Sequence, residues 1–271
     1  MNYYYDYFAK EYRSRQTRGS LWTSPAAMLG NIRGNDVKDC RTTLKNAFEG
    51  YRCGRNIEVL KRLLGEYRNY VSEYGDENAR NRYNAFVYRY MSGTCVGAGA
   101  IAGKLGVSRE TVLNYINSCI NDLLVICMGM TAYNHKADNQ EAAVSFVISN
   151  YALLSKEADT YIFDIFRKKS DRAAVEKGRH YTQKILHQLT EATKAYTEYC
   201  RGGQVNIDTD IRKADVLELC LAGCSVRHIA EKCGTSEETI YKDIKDNEQR
   251  LAALFFEQKG VDTDGKGSGQ R

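Results

Sequence analysis

The stretch IAGKLGVSRETVLNYI, residues 101–116, decides the fold because IAEKCGTSEETIYKDI, residues 229–244, repeats it. Isoleucine, alanine, lysine, glycine, serine, glutamate and threonine recur at the same places when Ile101 is aligned with Ile229. A single match of this kind can arise by chance in a helical protein. Two copies in one chain indicate a duplicated structural unit.

Each shared position has a role in two short helices joined by a tight turn. Ile101 before the turn and Val112 after it face the core. Gly106 suits the residue that follows a helix, where φ is often positive. Ser108 caps the next helix, and Glu110 lies in its first turn, where the helix dipole favours a carboxylate. This pattern predicts a helix-turn-helix unit; the alternative is a duplicated structural hairpin without a role in DNA binding.

The composition favours an all-α fold. The chain has 271 residues and one proline, Pro25, and helix interiors exclude proline. Apolar residues make up 43% and charged residues 27%, as in soluble globular proteins. Alternating runs of Val, Ile and Thr between turn dipeptides are lacking. We expect two helix-turn-helix units in a multi-helical chain, with the second half a diverged repeat of the first.

Breaks in the helical pattern divide the chain into regions. We predict a basic, Tyr-rich helical N-terminal region over 1–75, the first helix-turn-helix unit over 76–130, a long-helix linker or dimerisation region over 140–205, the second unit over 209–257 and a disordered tail over 258–271. Predicted helices cover 36–50, 56–74, 78–92, 140–168, 171–200 and 209–222.

The net charge of +5 is concentrated near the start of the chain. Residues 1–68 hold 13 Lys and Arg against 7 Asp and Glu, which fits a surface that contacts phosphates. A solvated, Arg-rich helical face is the alternative. The start, MNYYYDYFAKEYRSR, lacks the apolar segment of a signal peptide, and no run of 18 apolar residues occurs. We expect a cytoplasmic protein with no membrane partner and with reduced cysteines.

The run from Tyr83 to Gly129, YNAFVYRYMSGTCVGAGAIAGKLGVSRETVLNYINSCINDLLVICMG, resembles a known family. It is similar to the helix-turn-helix of sigma-factor region four and to sigma-like regulators of Gram-positive prophages, including the autolysin-regulator (ArpU-like) type. Those families carry an aromatic helix, a short linker, the motif Ile-Ala-x-x-Leu-x-x-Ser-x-x-Thr-Val and a long helix. The resemblance implies transcription regulation through the major groove, in a phage or mobile-element setting.

In such a unit the second helix enters the major groove and its outward side chains meet base edges. The outward residues of the first unit are Ser108, Arg109, Glu110, Thr111, Leu113, Asn114 and Asn117. Those of the second are Ser236, Glu237, Glu238, Thr239, Tyr241, Lys242 and Lys245, with Arg227 and His228 beside the DNA backbone. Arg109 suits guanine and Asn114 suits adenine. Because Glu237 and Glu238 repel phosphates, we predict that the second unit binds DNA more weakly than the first or reads different bases. A solvated helix face is the alternative for each residue.

Other chemistry is less well supported. Cys220, Cys224, His228 and Cys233 have a spacing that tetrahedral zinc can use, but Cys233 occupies a core position and the spacing is not usual for zinc. We therefore predict no metal and no cofactor. The chain has no phosphate-binding glycine loop and no Gly-x-Ser-x-Gly motif, so we predict that it is not an enzyme.

Together these features predict a sequence-specific regulator that binds double-stranded DNA, with RNA polymerase and a second copy of the chain as further partners. One alternative is a helical adaptor that binds RNA polymerase or a sigma factor. Another is a plasmid or phage replication or partition protein.

Overall fold

The computed structural model describes residues 34–51, 54, 56–94, 96–132, 140–156, 160–202 and 207–256. These residues form α-helices joined by short turns and contain no β-strand, which confirms the all-α class. The helices are α1 (Gly34–Glu49), α2 (Ile57–Tyr74), α3 (Glu77–Phe86), α4 (Ala98–Leu105), α5 (Arg109–Met128), α6 (Gln140–Ser149), α7 (Tyr151–Leu154), α8 (Lys169–Arg201), α9 (Ile207–Leu221), α10 (Val226–Cys233) and α11 (Glu237–Phe256). The predictions for the start of the chain, up to residue 33, and for the tail from 258 lie outside the described residues.

Helix α5 is the central helix of the fold. It contacts α1, α2, α3, α4, α7 and α8. From Leu123 to Met128 every side chain is buried. Among the described helices, α5 alone is long and apolar enough to cross a membrane by length and composition, and 56% of that segment is buried inside the protein. Its apolar side chains therefore form the core of this helical assembly.

Helix α8 connects the two halves of the chain. Its 33 residues pack against α1, α5 and the 3₁₀ turn Gly129–Ala132, and also against α9 and α11. One buried apolar cluster extends from Val37 in α1 to Leu254 in α11. A smaller cluster of Val216, Ile229, Ala230 and Ile240 lies beneath α10 and α11. Because one apolar cluster contains buried residues from both halves, α8 forms part of the common core as well as linking the two halves.

The single long helix predicted over 140–168 is wrong. The chain forms α6, leaves helical geometry at Asn150, forms the single turn α7 and then a 3₁₀ turn at Thr160–Asp164. The Asn150 side-chain amide donates to the Phe146 carbonyl oxygen (2.8 Å). The same carbonyl also accepts from the Asn150 backbone amide (3.0 Å), so the asparagine binds the last turn of α6 with both its amides. Local side-chain bonds of this kind compete with continuation of a helix, which ends here although the neighbouring residues are apolar.

Candidate nucleic-acid interface

The two repeated stretches fold into the same local structure. The first helix pair, α4 and α5, and the second helix pair, α10 and α11, each have a helix of 8 residues, a short turn and a helix of 20 residues. In the turns, Gly106 has a φ of 66° and Gly234 a φ of 62°. The amide of Val107 donates to the Ala102 carbonyl (3.2 Å), and that of Thr235 donates to the Ala230 carbonyl (3.1 Å).

Both turns are completed by the same serine cap. Ser108 Oγ accepts from the Thr111 amide at 3.0 Å, and Ser236 Oγ accepts from the Thr239 amide at 3.2 Å. Each serine hydroxyl also bonds the hydroxyl of its threonine, at 2.8 Å and 3.0 Å respectively. These four side chains therefore stabilise the start of the long helix. They also lie next to its outward face.

A glycine-to-alanine series should separate turn geometry from helix propensity. We expect Gly106→Ala to lower the free energy of unfolding by about 1 kcal/mol, because alanine is strained at positive φ. Gly103→Ala, three residues earlier, should raise it by up to about 1 kcal/mol, because a Cβ there meets no atom within 4 Å. Urea denaturation measures both. Equal signs for the two substitutions would contradict the assigned turn.

The structural repeat begins further upstream than the matching residues suggest. The buried residues of α2 correspond one by one, at the same spacing, to buried residues of α8. They are Leu60, Leu63, Leu64, Tyr67 and Val71, and Leu189, Ala192, Thr193, Tyr196 and Cys200. The contacts α2–α3, α2–α5, α3–α4, α3–α5 and α4–α5 have counterparts in α8–α9, α8–α11, α9–α10, α9–α11 and α10–α11. We define residues 57–128 as the first repeat and residues 186–256 as the second repeat.

A buried tyrosine anchors the long helix of each repeat. In the first repeat the Tyr67 hydroxyl donates to Asp122 Oδ2 on α5 (2.6 Å), and Arg82 Nη1 lies 3.7 Å from the same oxygen. Burial raises the pKa of Asp122, while the tyrosine bond and the arginine charge oppose the rise. The carboxylate is thus held by a hydroxyl and a guanidinium at the base of α5.

In the second repeat a buried tyrosine also anchors the long helix, but its partner on that helix is an arginine instead of an aspartate. Arg250 Nη1 donates to the Tyr196 hydroxyl (3.1 Å) and lies 3.8 Å from Asp210 Oδ1. The alignment that matches the two repeated stretches also places Asp122 opposite Arg250. Their partners Arg82 and Asp210 lie on the corresponding helices α3 and α9 but at different positions, because the linker before Ile101 is two residues longer than the linker before Ile229. A tyrosine hydroxyl both donates and accepts, so it serves a carboxylate in one repeat and a guanidinium in the other.

The second repeat has a further ion pair that holds α11 against α9. Arg212 donates to both carboxylate oxygens of the buried Asp243, at 2.7 Å and 3.3 Å. This bidentate bond raises the pKa of the Arg212 guanidinium. Asp243 was not among the predicted site residues, and its burial indicates a role in positioning α11.

The outward face of the first helix pair carries the predicted reading residues. Arg109, Glu110, Asn114 and Asn117 are exposed on α5. Asn117 is, however, already bonded: its side-chain oxygen accepts from Arg41 on α1 (3.3 Å). The face available for base edges is therefore the first two turns of α5.

The outward face of the second helix pair is partly neutralised by its own ion pairs. Lys242 lies 2.7 Å from Glu238, which lowers the pKa of that carboxyl, and Arg227 lies 3.2 Å from Glu231. Glu237 and Lys245 are exposed and form no ion pair with the described residues. The second pair thus has less free positive charge near its turn than its lysines suggest.

The two helix pairs expose an apolar side chain at the same position. Leu113 is 46% exposed and Tyr241 is 59% exposed, and they are the large apolar side chains that stand out as exposed among the described residues. They occupy equivalent places in the two repeated stretches. The core requires neither side chain, so both are available to contact another molecule.

The cysteines and histidine of the spacing considered for zinc are not arranged as metal ligands. Among the described residues, no three His, Cys, Asp or Glu side chains are grouped so as to hold a metal ion. Cys220, Cys224 and Cys233 pack against the small cluster beneath α10 and α11. Burial raises the pKa of the Cys220 thiol to about 12, as expected for a thiol that packs in a core.

Compared with known proteins, the chain has no significant match to a protein-family model, to a curated protein or to a solved structure. The candidate interface therefore rests on the residues and geometry of the two repeats. Residue matching did not identify Arg41 or the tyrosine anchors; the available signal for the anchors was the apolar stripe shared by α2 and the end of α8.

Proposed function

We propose that this chain is a sequence-specific, DNA-binding transcriptional regulator of the cytoplasm. In this proposal the two helix pairs are helix-turn-helix units, and α5 and α11 enter the major groove of double-stranded DNA. The resemblance of residues 83–129 to sigma-factor region four supports a role at promoters, with RNA polymerase as a further partner.

One observation carries the proposal. The glycine, the serine cap and the threonine that it bonds are the same in the two turns, whereas most exposed residues of the following helices differ. Arg109, Leu113 and Asn114 stand where the second pair has Glu237, Tyr241 and Lys242. Keeping a scaffold while its outward face changes is what two readers of different base sequences require.

Selection of bound duplexes from a random-sequence pool tests the proposal. We expect the unaltered chain to select a defined site, and its affinity to fall steeply as salt rises, because phosphate contacts release counterions. The double variant Arg109→Ala with Asn114→Ala should bind the selected site about 100-fold more weakly, since each bidentate base contact contributes roughly 1–3 kcal/mol.

The matched control is Arg68→Ala with Asn69→Ala, which removes the same two residue types from the exposed surface of α2. This control should keep the affinity of the unaltered chain. Equal affinities for the two double variants would contradict the role of α5, and the lack of any selected site would contradict sequence-specific binding.

A second candidate function, a helical adaptor, is favoured by the surface of α11. Its exposed Tyr241 and self-neutralised charges suit a protein surface, where aromatic residues are enriched. If Tyr241→Ala with Lys245→Ala leaves duplex affinity unchanged while the Arg109 variant weakens it, the second pair serves as an adaptor surface.

A further inference from the structure

Helix α1 places an arginine on the outward face of α5. Arg41 Nε donates to Asn121 Oδ1 (3.0 Å), and its Nη2 donates to Asn117 Oδ1 (3.3 Å). Both contacts lie at the protein surface and join residues that are 80 and 76 positions apart in sequence. Two side chains on successive turns of α5 thus hold one guanidinium.

The two asparagines continue the face that begins with the reading residues. Glu110, Asn114, Asn117 and Asn121 recur at spacings of three and four, which places them along one side of a helix. Arg41 therefore extends the same surface towards the C-terminal end of α5, beyond the turns that would lie deepest in the groove.

The partners of Arg41 leave its charge available. Asparagine oxygens are neutral, and Arg41 forms no ion pair with a carboxylate of the described residues. A guanidinium has five N–H donors, and two of those of Arg41 are used by the described residues. An arginine that is held in place and not neutralised is suited to a phosphate oxygen.

The second repeat carries positive charge on the corresponding face in a different way. Where α5 has Asn114, Asn117 and Asn121, α11 has Lys242, Lys245 and Gln249. Lys242 is paired with Glu238, but Lys245 is exposed without an ion pair to the described residues. The first repeat thus obtains from α1 the charge that the second repeat carries on the long helix itself.

We propose that Arg41 contacts the DNA backbone, and that Asn117 and Asn121 position it. This inference rests on the proposed DNA binding and changes the predicted role of Asn117 from reading a base to orienting an arginine. A phosphate contact contributes affinity to every sequence, whereas a base contact distinguishes among sequences.

Salt dependence distinguishes these roles. Affinities of the unaltered chain and of Arg41→Gln are measured, between about 50 and 200 mM salt, for the duplex selected from the random pool and for an unrelated duplex. We expect Arg41→Gln to reduce the slope of log affinity against log salt by about 1, and to weaken both duplexes by a similar factor of about five to ten. The preference for the selected duplex over the unrelated one should not change.

Two further variants complete the test. Lys61→Gln removes one exposed charge from α2 and should leave the slope unchanged. Asn117→Ala with Asn121→Ala should weaken binding while the slope stays near that of the unaltered chain, because the charge remains. The same slope for Arg41→Gln and Lys61→Gln, or a changed base preference in Arg41→Gln, overturns the assignment of Arg41 alone. Lack of duplex binding by the unaltered chain overturns it together with the proposed function.

Discussion

Replacing Asp122 with arginine should lower the free energy of unfolding by about 3 kcal/mol, because breaking a largely buried ion pair leaves an unpaired charge in the protein. In the unaltered chain Asp122 accepts from the Tyr67 hydroxyl and faces Arg82. In the variant two guanidinium groups face each other at the base of α5. We expect a native fold with a markedly lower urea midpoint.

A second substitution, Arg82→Asp, should cost less stability in the Asp122→Arg variant than in the unaltered chain. The double variant places an arginine beside the buried Tyr67, as Arg250 lies beside the buried Tyr196 in the second repeat. An aspartate on α3 then faces this arginine, as Asp210 on α9 faces Arg250. In the variant the Tyr67 hydroxyl accepts from the new arginine, as the Tyr196 hydroxyl accepts from Arg250 while it donates to Asn247 Oδ1 at 3.0 Å. The first repeat has Cys119 in place of Asn247, so the two anchors do not become identical.

Urea denaturation of the unaltered chain, both single variants and the double variant gives a double-mutant cycle. A coupling energy of about 2 kcal/mol or more is the expected result. The control is the exposed pair Lys61 and Glu58, whose reversal should give a coupling below about 0.5 kcal/mol. If the losses at Arg82 and Asp122 are simply additive, the two anchors are not equivalent and the repeat does not include them.

The parts of the fold that could be predicted from the sequence are local. Gly106, Ser108, Ile101 and Val112 were assigned correctly because a turn, a cap and two core positions within one helix pair depend on neighbours a few residues away. Such features follow from backbone geometry and helical spacing. The same holds for the bounds of α2, which were predicted as 56–74 and are observed as Ile57–Tyr74.

The tyrosine anchors could not be predicted because their partners are distant in sequence and their charges are exchanged. Tyr67 and Asp122 are 55 residues apart, and Tyr196 and Arg250 are 54 apart. A comparison that matches residue types treats aspartate and arginine at one position as evidence against a repeat. The pattern of burial reveals the repeat, because a buried tyrosine packs beside an ion pair in both halves.

Arg41 illustrates a second limit of sequence reasoning. The basic character of the N-terminal part of the chain is visible in its composition, but which of its arginines reaches α5 depends on how α1 packs. The break at Asn150 illustrates a third limit. The apolar pattern continues past this residue, but its side chain bonds the nearby Phe146 carbonyl and the helix ends there.

Replacing exposed residues of α11 with those of α5 should change which DNA sequence the second helix pair binds. We expect Glu237→Arg with Tyr241→Leu and Lys242→Asn to make the second pair prefer the half-site of the first pair. Affinity for a duplex with two copies of that half-site should rise by about 10- to 100-fold, since each bidentate base contact contributes roughly 1–3 kcal/mol.

The exchange is structurally permissible because all three positions are exposed in both pairs and the residues beneath them correspond. Ile229, Ile240 and the serine cap of α11 occupy the places of Ile101, Val112 and the cap of α5. The loss of the ion pair between Lys242 and Glu238 should have little effect on stability, because both side chains are exposed. A melting temperature close to that of the unaltered chain is therefore expected.

Selection from the same random pool measures the outcome. The altered chain should yield sites with two related halves, and the reciprocal variant, Arg109→Glu with Leu113→Tyr and Asn114→Lys, should lose the half-site of the first pair. An altered chain that selects the original site would show that the exposed residues of α11 do not contact bases. The sequence preference would then come from α5 alone, and the second pair, with its similar scaffold, would serve another partner.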